Sequence, residues 1–256
     1  MTTIAASDQA ADFTEAEYSS LVKCARARFR FCRFTEHFVD ENCAIWRHDV
    51  DFSPQRALAT ARIEAIAGVT STYFVLFGSP FYNLFEDEIR KIFCEIAEMG
   101  HDIGLHYDAG SNNGGIAGHV ERILFEAKTL GHHLQIDVHS FSLHNPSVRP
   151  DLNLDERQYA GLINASAPDL RALLTYVSDS NGIWRYRSLR DVLKDLTVTR
   201  LYALTHPEWW TPEPLAPQAR VDRCISGRAR HVASNYEAFI KRYRPEILSD
   251  DSGIVR

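Results

Sequence analysis

Two aspartates separated by a single valine, Asp49 and Asp51, lie in the segment Cys-Ala-Ile-Trp-Arg-His-Asp-Val-Asp-Phe-Ser-Pro at residues 43–54. Residues 43–46 are apolar and mostly β-compatible, and Ser53 followed by Pro54 is an N-cap with a first-turn proline. The segment therefore reads as a strand running into a helix. Side chains two apart on a strand share a face, which aims both carboxylates into one space at the strand's C-terminal end. Like charges that close need a positive partner, and a bound cation is the usual one; a helix cap beside a solvated acid is the alternative. More donors recur at the ends of later β-like segments: His106 and Asp108 in Gly-Leu-His-Tyr-Asp, His144 in Leu-His-Asn-Pro, Asp179 in Ser-Asp-Ser-Asn-Gly and His206 in Leu-Thr-His-Pro. Singly, His106 reads equally well as a hydrogen-bonded core histidine, His144 and Asp179 as turn residues, and His206 as a strand-end surface residue. Together they are an imidazole and carboxylate set that suits a divalent transition metal, zinc foremost, with Co, Ni, Mn or Fe as alternatives. Such a site activates water and then requires a base and an acid for the proton transfers of hydrolysis.

The elements that must position these groups alternate. A capping box, Thr14 with Glu17, starts an amphipathic helix over 14–31. A helix over 54–67 ends at Gly68, and residues 70–77 (TSTYFVLF) form a β-branched and aromatic strand. Phe85, Ile89, Ile92, Phe93 and Ile96 fall at helical spacing within 84–99, stopped by Gly100. Then come a strand over 101–107, a Gly/Asn loop at 111–115, a helix over 116–130 closed by Gly131, and a strand over 135–143. His132 and His133 read as helix-end histidines. A long loop over 144–158, a strand over 173–178, a short helix near 188–195, a strand over 197–205 and a helical tail over 213–245, interrupted near Pro217, complete the chain. Strand and helix alternate at least five times with mostly short links, which predicts an α/β fold with a parallel sheet and helices outside. At this length a closed or partly closed (β/α) barrel fits, with an open doubly wound sheet as the alternative; no dinucleotide glycine fingerprint follows the first strand. In a barrel the strands' C-terminal ends form the active-site rim, and that is where the acids and imidazoles listed above fall.

The 256 residues with a net charge of −6 show no basic excess, which argues against nucleic acid as a partner. No run approaches the roughly 18 apolar residues of a membrane span, and the N-terminus lacks a signal-peptide pattern, so a cytoplasmic protein is expected. Five scattered cysteines without a CxxC pair fit reduced thiols. One catalytic domain is expected over 1–256, with its core at about 43–210, a helical extension over 1–42 and a helical segment over 211–256.

Arg47-His-Asp-Val-Asp51, Gly100-His-Asp-Ile-Gly-Leu-His106 and Leu204-Thr-His206 resemble the motifs of the NodB-like polysaccharide deacetylases, family 4 of the carbohydrate esterases. The His-Asp-Val-Asp form, the Gly-Leu-His-Tyr-Asp strand and Asp-Ser-Asn-Gly-x-Trp-Arg are closest to the O-antigen deacetylases of the WbmS type. The resemblance implies a distorted (β/α) barrel and a metal-dependent hydrolase that removes an N-acetyl or related acyl group from a sugar, free or nucleotide- or lipid-linked, for surface polysaccharide or lipopolysaccharide. It implies Asp49 as general base, His206 as general acid, and Asp51 and His106 as metal ligands. The family's second ligand histidine would fall at Gly110; His144, with Asp108 behind it, is the substitute candidate. A pseudoenzyme that binds a sugar or a biosynthetic partner is the alternative that Gly110 raises. Around the site, His48, Asp179, Trp184, Arg185 and Trp209 are expected to support the substrate or the ligands. Trp209 and Trp210, with Trp184 and Tyr107, could form a stacking floor for sugar rings, or simply pack the rim. Arg185 could pair with Asp179 or with a substrate phosphate or carboxylate.

Overall fold

The computed structural model describes residues 13–36, 42–110, 114–148, 151–184, 186–244 and 247. Its elements run α1 (Glu15–Arg28), β1 (Arg30–Cys32), β2 (Cys43–Val50), α2 (Pro54–Ile66), β3 (Thr72–Leu76), α3 (Asp87–Glu98), β4 (Asp102–Asp108), α4 (Ile116–Leu134), β5 (Ser140–His144), β6 (Gln158–Tyr159), β7 (Leu162–Asn164), α5 (Pro168–Leu173), β8 (Thr175–Ser178), α6 (Leu189–Lys194), β9 (Arg200–Thr205) and α7 (Pro217–Tyr243). The strands form one sheet in the order β6-β7-β5-β4-β3-β2-β9-β8, with β1 beside the start of β2. All pairings are parallel except the β6–β7 hairpin. No pairing joins β6 to β8 among the described residues, so the sheet is a curled half-barrel rather than a closed one.

The curl gives the sheet two differently used faces. On the inner face Cys43, Ile45, Phe74 and Tyr202 meet Ala165, Leu170 and Leu174, which follow β7. On the outer face one apolar layer lies under α2, α3 and α4 and a second under α1 and α6. Strand β2 runs through the middle with all eight residues buried, as a parallel strand covered on both sides should be.

Several boundaries differ from the sequence expectation for local physical reasons. Helix α1 starts at Thr14, whose Oγ1 accepts from the Glu17 amide at 3.2 Å, but stops at Arg28. Arg30–Cys32 instead pair with Cys43–Ile45, and this tertiary pairing overrides helical preference. Helix α4 passes through Gly131 to Leu134 and is capped by Gln135 at φ +58°. Gly131 is needed there for closeness: a Cβ would lie 2.8 Å from the Ile136 carbonyl oxygen. Pro217 begins α7 at its first turn and does not interrupt it. The β6–β7 hairpin, turning through Ala160 and Gly161 at φ +48° and +91°, and the six-residue α5 occupy a stretch that carries no strong periodic signal.

Candidate metal centre and active site

Sheet register decides which side chains meet. His106 on β4 stands opposite Leu76 on β3 and Ser142 on β5, and Asp108 stands opposite His144. Asp49 on β2 faces Phe74 on β3, and Arg47 faces Leu204 on β9. Paired residues share a face, so Arg47, Asp49, His106, Ser142 and Leu204 all project into the mouth of the curl, with Asp51, His144 and His206 at its rim.

Asp51 Oδ1 lies 3.2 Å from His106 Nε2. One ligand atom each from Asp51, His106 and His144 falls within 4.8 Å of the others. The tautomer of His106 follows from its neighbours. Its Nδ1 is 2.7 Å from Ser142 Oγ, and that hydroxyl donates its one proton toward Asp49 Oδ1 at 3.4 Å. Oγ therefore accepts from Nδ1–H, leaving the Nε2 lone pair turned to Asp51. Asp51 Oδ1 and His144 Nδ1 are both buried and make no hydrogen bond among the described residues. Buried polar atoms are costly unless partnered, and a carboxylate oxygen with two imidazole nitrogens is the donor set of a divalent transition metal. Burial lowers the His144 pKa, favouring the neutral ring that ligates. Burial would raise the Asp51 pKa, but the neighbouring imidazoles, His106 foremost, hold it below the usual carboxylate range. The residues present fit an ion.

Beside this trio, Asp49 is 3 % exposed and is gripped by Arg47, Nε to Oδ1 at 3.1 Å and Nη2 to Oδ2 at 2.7 Å. Burial opposes its ionisation, but the Arg47 charge and hydrogen bonds prevail and lower its pKa. Arg47 is itself fixed by donating to the Ala165 carbonyl and to Tyr202 Oη. Across the cleft, His206 Nδ1 is 2.6 Å from Asp179 Oδ1, and Asp179 also accepts from the His206 amide and from Trp210 Nε1 at 3.1 Å. Burial pulls His206 down, but the hydrogen bond and charge of Asp179 push it up to about 10. A cleft of about 740 Å³ contains Asp49, Asp51, His106, His144 and His206.

The structure gathers Asp49, Asp51, His106, His144, Asp179 and His206, with Asp108 Oδ2 3.7 Å from His144 Nδ1. It does not gather every expected residue. His48 lies between Arg47 and Asp49, so alternation turns it to the outer face, where Nε2 meets Glu64 Oε1 at 2.7 Å. Trp184 stacks on Phe13 at 5.2 Å, Trp210 is fully buried, and Tyr107 bonds His119 on the outer face. Of the four proposed floor aromatics only Trp209 lines the cleft, and it presses on Gly182, where φ is +70° and a Cβ would lie 3.0 Å from the indole. Arg185 lies outside the described residues. Gly110 is exposed and donates its amide to Asp108 Oδ1 at 2.8 Å.

Sequence reasoning gave no role to Arg47, Ser142, Glu208 or Tyr176. Arg47 and Ser142 each stand two positions before a named residue, Asp49 and His144, so strand alternation was a signal available for both. Glu208 gave none; it is buried, its two carboxylate oxygens lack hydrogen bonds among the described residues, and burial with the Asp51 charge raises it well above the usual range.

No protein-family model matches the chain, and no curated protein matches it by sequence. Among solved structures it is similar to a family 4 acetyl xylan esterase from Clostridium thermocellum in complex with a cobalt ion, at 15% identity and TM-score 0.40, over 73% of this chain and 83% of that one. It is similar to a Streptococcus pyogenes deacetylase in complex with acetate, at 12% identity and TM-score 0.43, over 69% and 84%. A third is a family 4 pseudoenzyme from Bacillus anthracis, at 11% identity and TM-score 0.41, over 73% of this chain; the match spans 60% of the pseudoenzyme's length.

Proposed function

We propose that the protein is a metal-dependent hydrolase that removes an N-acetyl or related acyl group from a sugar destined for a surface polysaccharide such as an O-antigen, and that it works in the cytoplasm. The observation that carries this reading is the pair of buried atoms without hydrogen bonds, Asp51 Oδ1 and His144 Nδ1, which converge with His106 between an ionised acid and a carboxylate-backed histidine. A divalent ion held by these three residues, zinc by donor type, supplies the positive charge that polarises an acyl carbonyl and makes water more acidic.

The chain's own groups do the rest. Asp49, ionised against Arg47, takes a proton from the attacking water as its oxygen bonds to the acyl carbon. Arg47 keeps that carboxylate aimed and is not itself a proton carrier. His206, protonated because Asp179 stabilises its charge, gives a proton to the amine nitrogen as the C–N bond breaks. The products are a carboxylate and a free amino sugar.

The test is acetate release from N-acetylated sugars by zinc-loaded protein. Asp49→Asn should lower turnover by about 10²- to 10⁴-fold and leave bound metal unchanged. Loss of metal in the same variant, or retention of full turnover, contradicts the roles given. A stoichiometric ion with no acetate release from any sugar makes the protein a binding module on the same fold.

A further inference from the structure

The cleft holds a cation that the hydrolysis leaves unused. Arg171, exposed on α5, lines the same cleft as the metal ligands, with its guanidinium carbon 4.7 Å from the centroid of the Tyr176 ring. No carboxylate pairs with it among the described residues. The acids that line the cleft are Asp49, already bidentate to Arg47, and Asp51, a ligand in the reading above. Tyr176 is seated in turn on Tyr202 at 5.4 Å, whose hydroxyl donates to the Ala165 carbonyl and accepts from Arg47. Arg171 is thus held over an anchored edge-to-face pair of tyrosines rather than neutralised by an acid. A neutral sugar needs only hydroxyls and amides for its recognition, which Ser166, Ser178 and Asn145 place in the same cleft. A planar guanidinium with its donors free is matched to an oxyanion, which it grips with two parallel hydrogen bonds.

We infer that Arg171 is a specificity-determining residue that binds a negatively charged group on the sugar, either a phosphate of a carrier or a carboxylate of the sugar itself. The inference rests on the cleft being a sugar site, as proposed above, but the binding it describes is measurable without turnover. Because the Tyr176 ring orders the guanidinium before the ligand arrives, little of the interaction is spent on ordering the side chain.

Calorimetry on the full chain would compare N-acetylglucosamine 1-phosphate, N-acetylglucosaminuronic acid and neutral N-acetylglucosamine as probes. At least one charged probe should bind about 10- to 100-fold more tightly than the neutral one, a range set by hydrogen bonds to charged groups. Arg171→Ala should abolish that advantage, leave the neutral probe unaffected, and Arg171→Lys should restore part of it. The charged probe that shows the advantage identifies its source as phosphate or carboxylate. Equal binding of charged and neutral probes, no measurable binding of either charged probe, or an advantage that survives in Arg171→Ala overturns the inference. Acetate release is read separately. An Arg171-dependent advantage with no release removes the hydrolase reading alone, and release with no such advantage removes the anion site alone.

Discussion

In the proposed hydrolysis, proton delivery turns on His206 and its partner Asp179. Burial alone would favour a neutral imidazole, and it is the 2.6 Å contact with Asp179 that reverses this and brings His206 to about 10 against an ordinary 6.5. A raised value means that the charged acid form persists below it and is lost as pH rises through it. The alkaline fall of kcat/KM should therefore appear only as pH approaches 10. Asp179→Asn removes the largest contribution opposing burial, so that fall should move to lower pH. A pH–rate profile in which the variant keeps the wild-type alkaline limb would assign the acid role elsewhere. Asp179 also shows what a sequence conceals at this scale: in Ser-Asp-Ser-Asn-Gly it has the company of a turn residue, and only the fold reveals that it is fully buried and bound to His206. The convergence of Asp49, Asp51, His106 and His206 on one cleft was legible because strand ends and residue type coincide, whereas His48 turns to the opposite face by strand alternation.

Among elements, α2 is tied to the sheet by a buried carboxylate. Glu64 accepts from Tyr18 on α1, from His48 on β2, and from Ser71 and Tyr73 beside and on β3, and His48 continues to Thr205, next to His206, at 2.7 Å. Burial alone would raise Glu64, but the charge and hydrogen bond of His48 bring it down to about 2 from 4.5. A depressed carboxylate contributes stability that is present above its unfolded value and lost as pH falls through the folded one. Wild-type protein should therefore lose roughly 3 kcal/mol between about pH 4.5 and 2 from this group. Glu64→Gln should be less stable at neutral pH and flatter across that window, as read from urea midpoints at each pH; parallel curves for the two proteins would refute the assignment. Helices α2 and α3 and strands β2, β3, β4 and β9 were legible because their apolar patterns are long and their ends carry Ser-Pro or glycine signals. Strands β1, β6 and β7 and helix α5 were not, since each is short, carries no apolar pattern of that kind, and is held by pairing or packing with distant chain.

For the whole molecule, the half-barrel works because its inner face is filled with large groups that also hold the chemistry. Phe74 fills the curl under the mouth, its ring 5.4 Å from the Arg47 guanidinium, and Gly104 on β4 makes room for it. A Cβ at 104 would lie 2.5 Å from the Phe74 ring and 3.0 Å from the Ser140 carbonyl oxygen. Gly104→Ala should cost about 1 to 3 kcal/mol by overpacking, measured as a lowered urea midpoint, and an unchanged midpoint would mean that the interior is looser than described. The α/β class and parallel order could be read from alternation alone, but the gap between β6 and β8 could not, because closure depends on how far the sheet twists, not on any single residue. The account as a whole depends on three distant residues sharing one ion, and elemental analysis of purified protein after zinc loading and dialysis tests this most directly. Wild type should retain one zinc per chain and His144→Ala should lose it while remaining folded; zinc absent from the wild type, or retained equally by His144→Ala, would contradict the account.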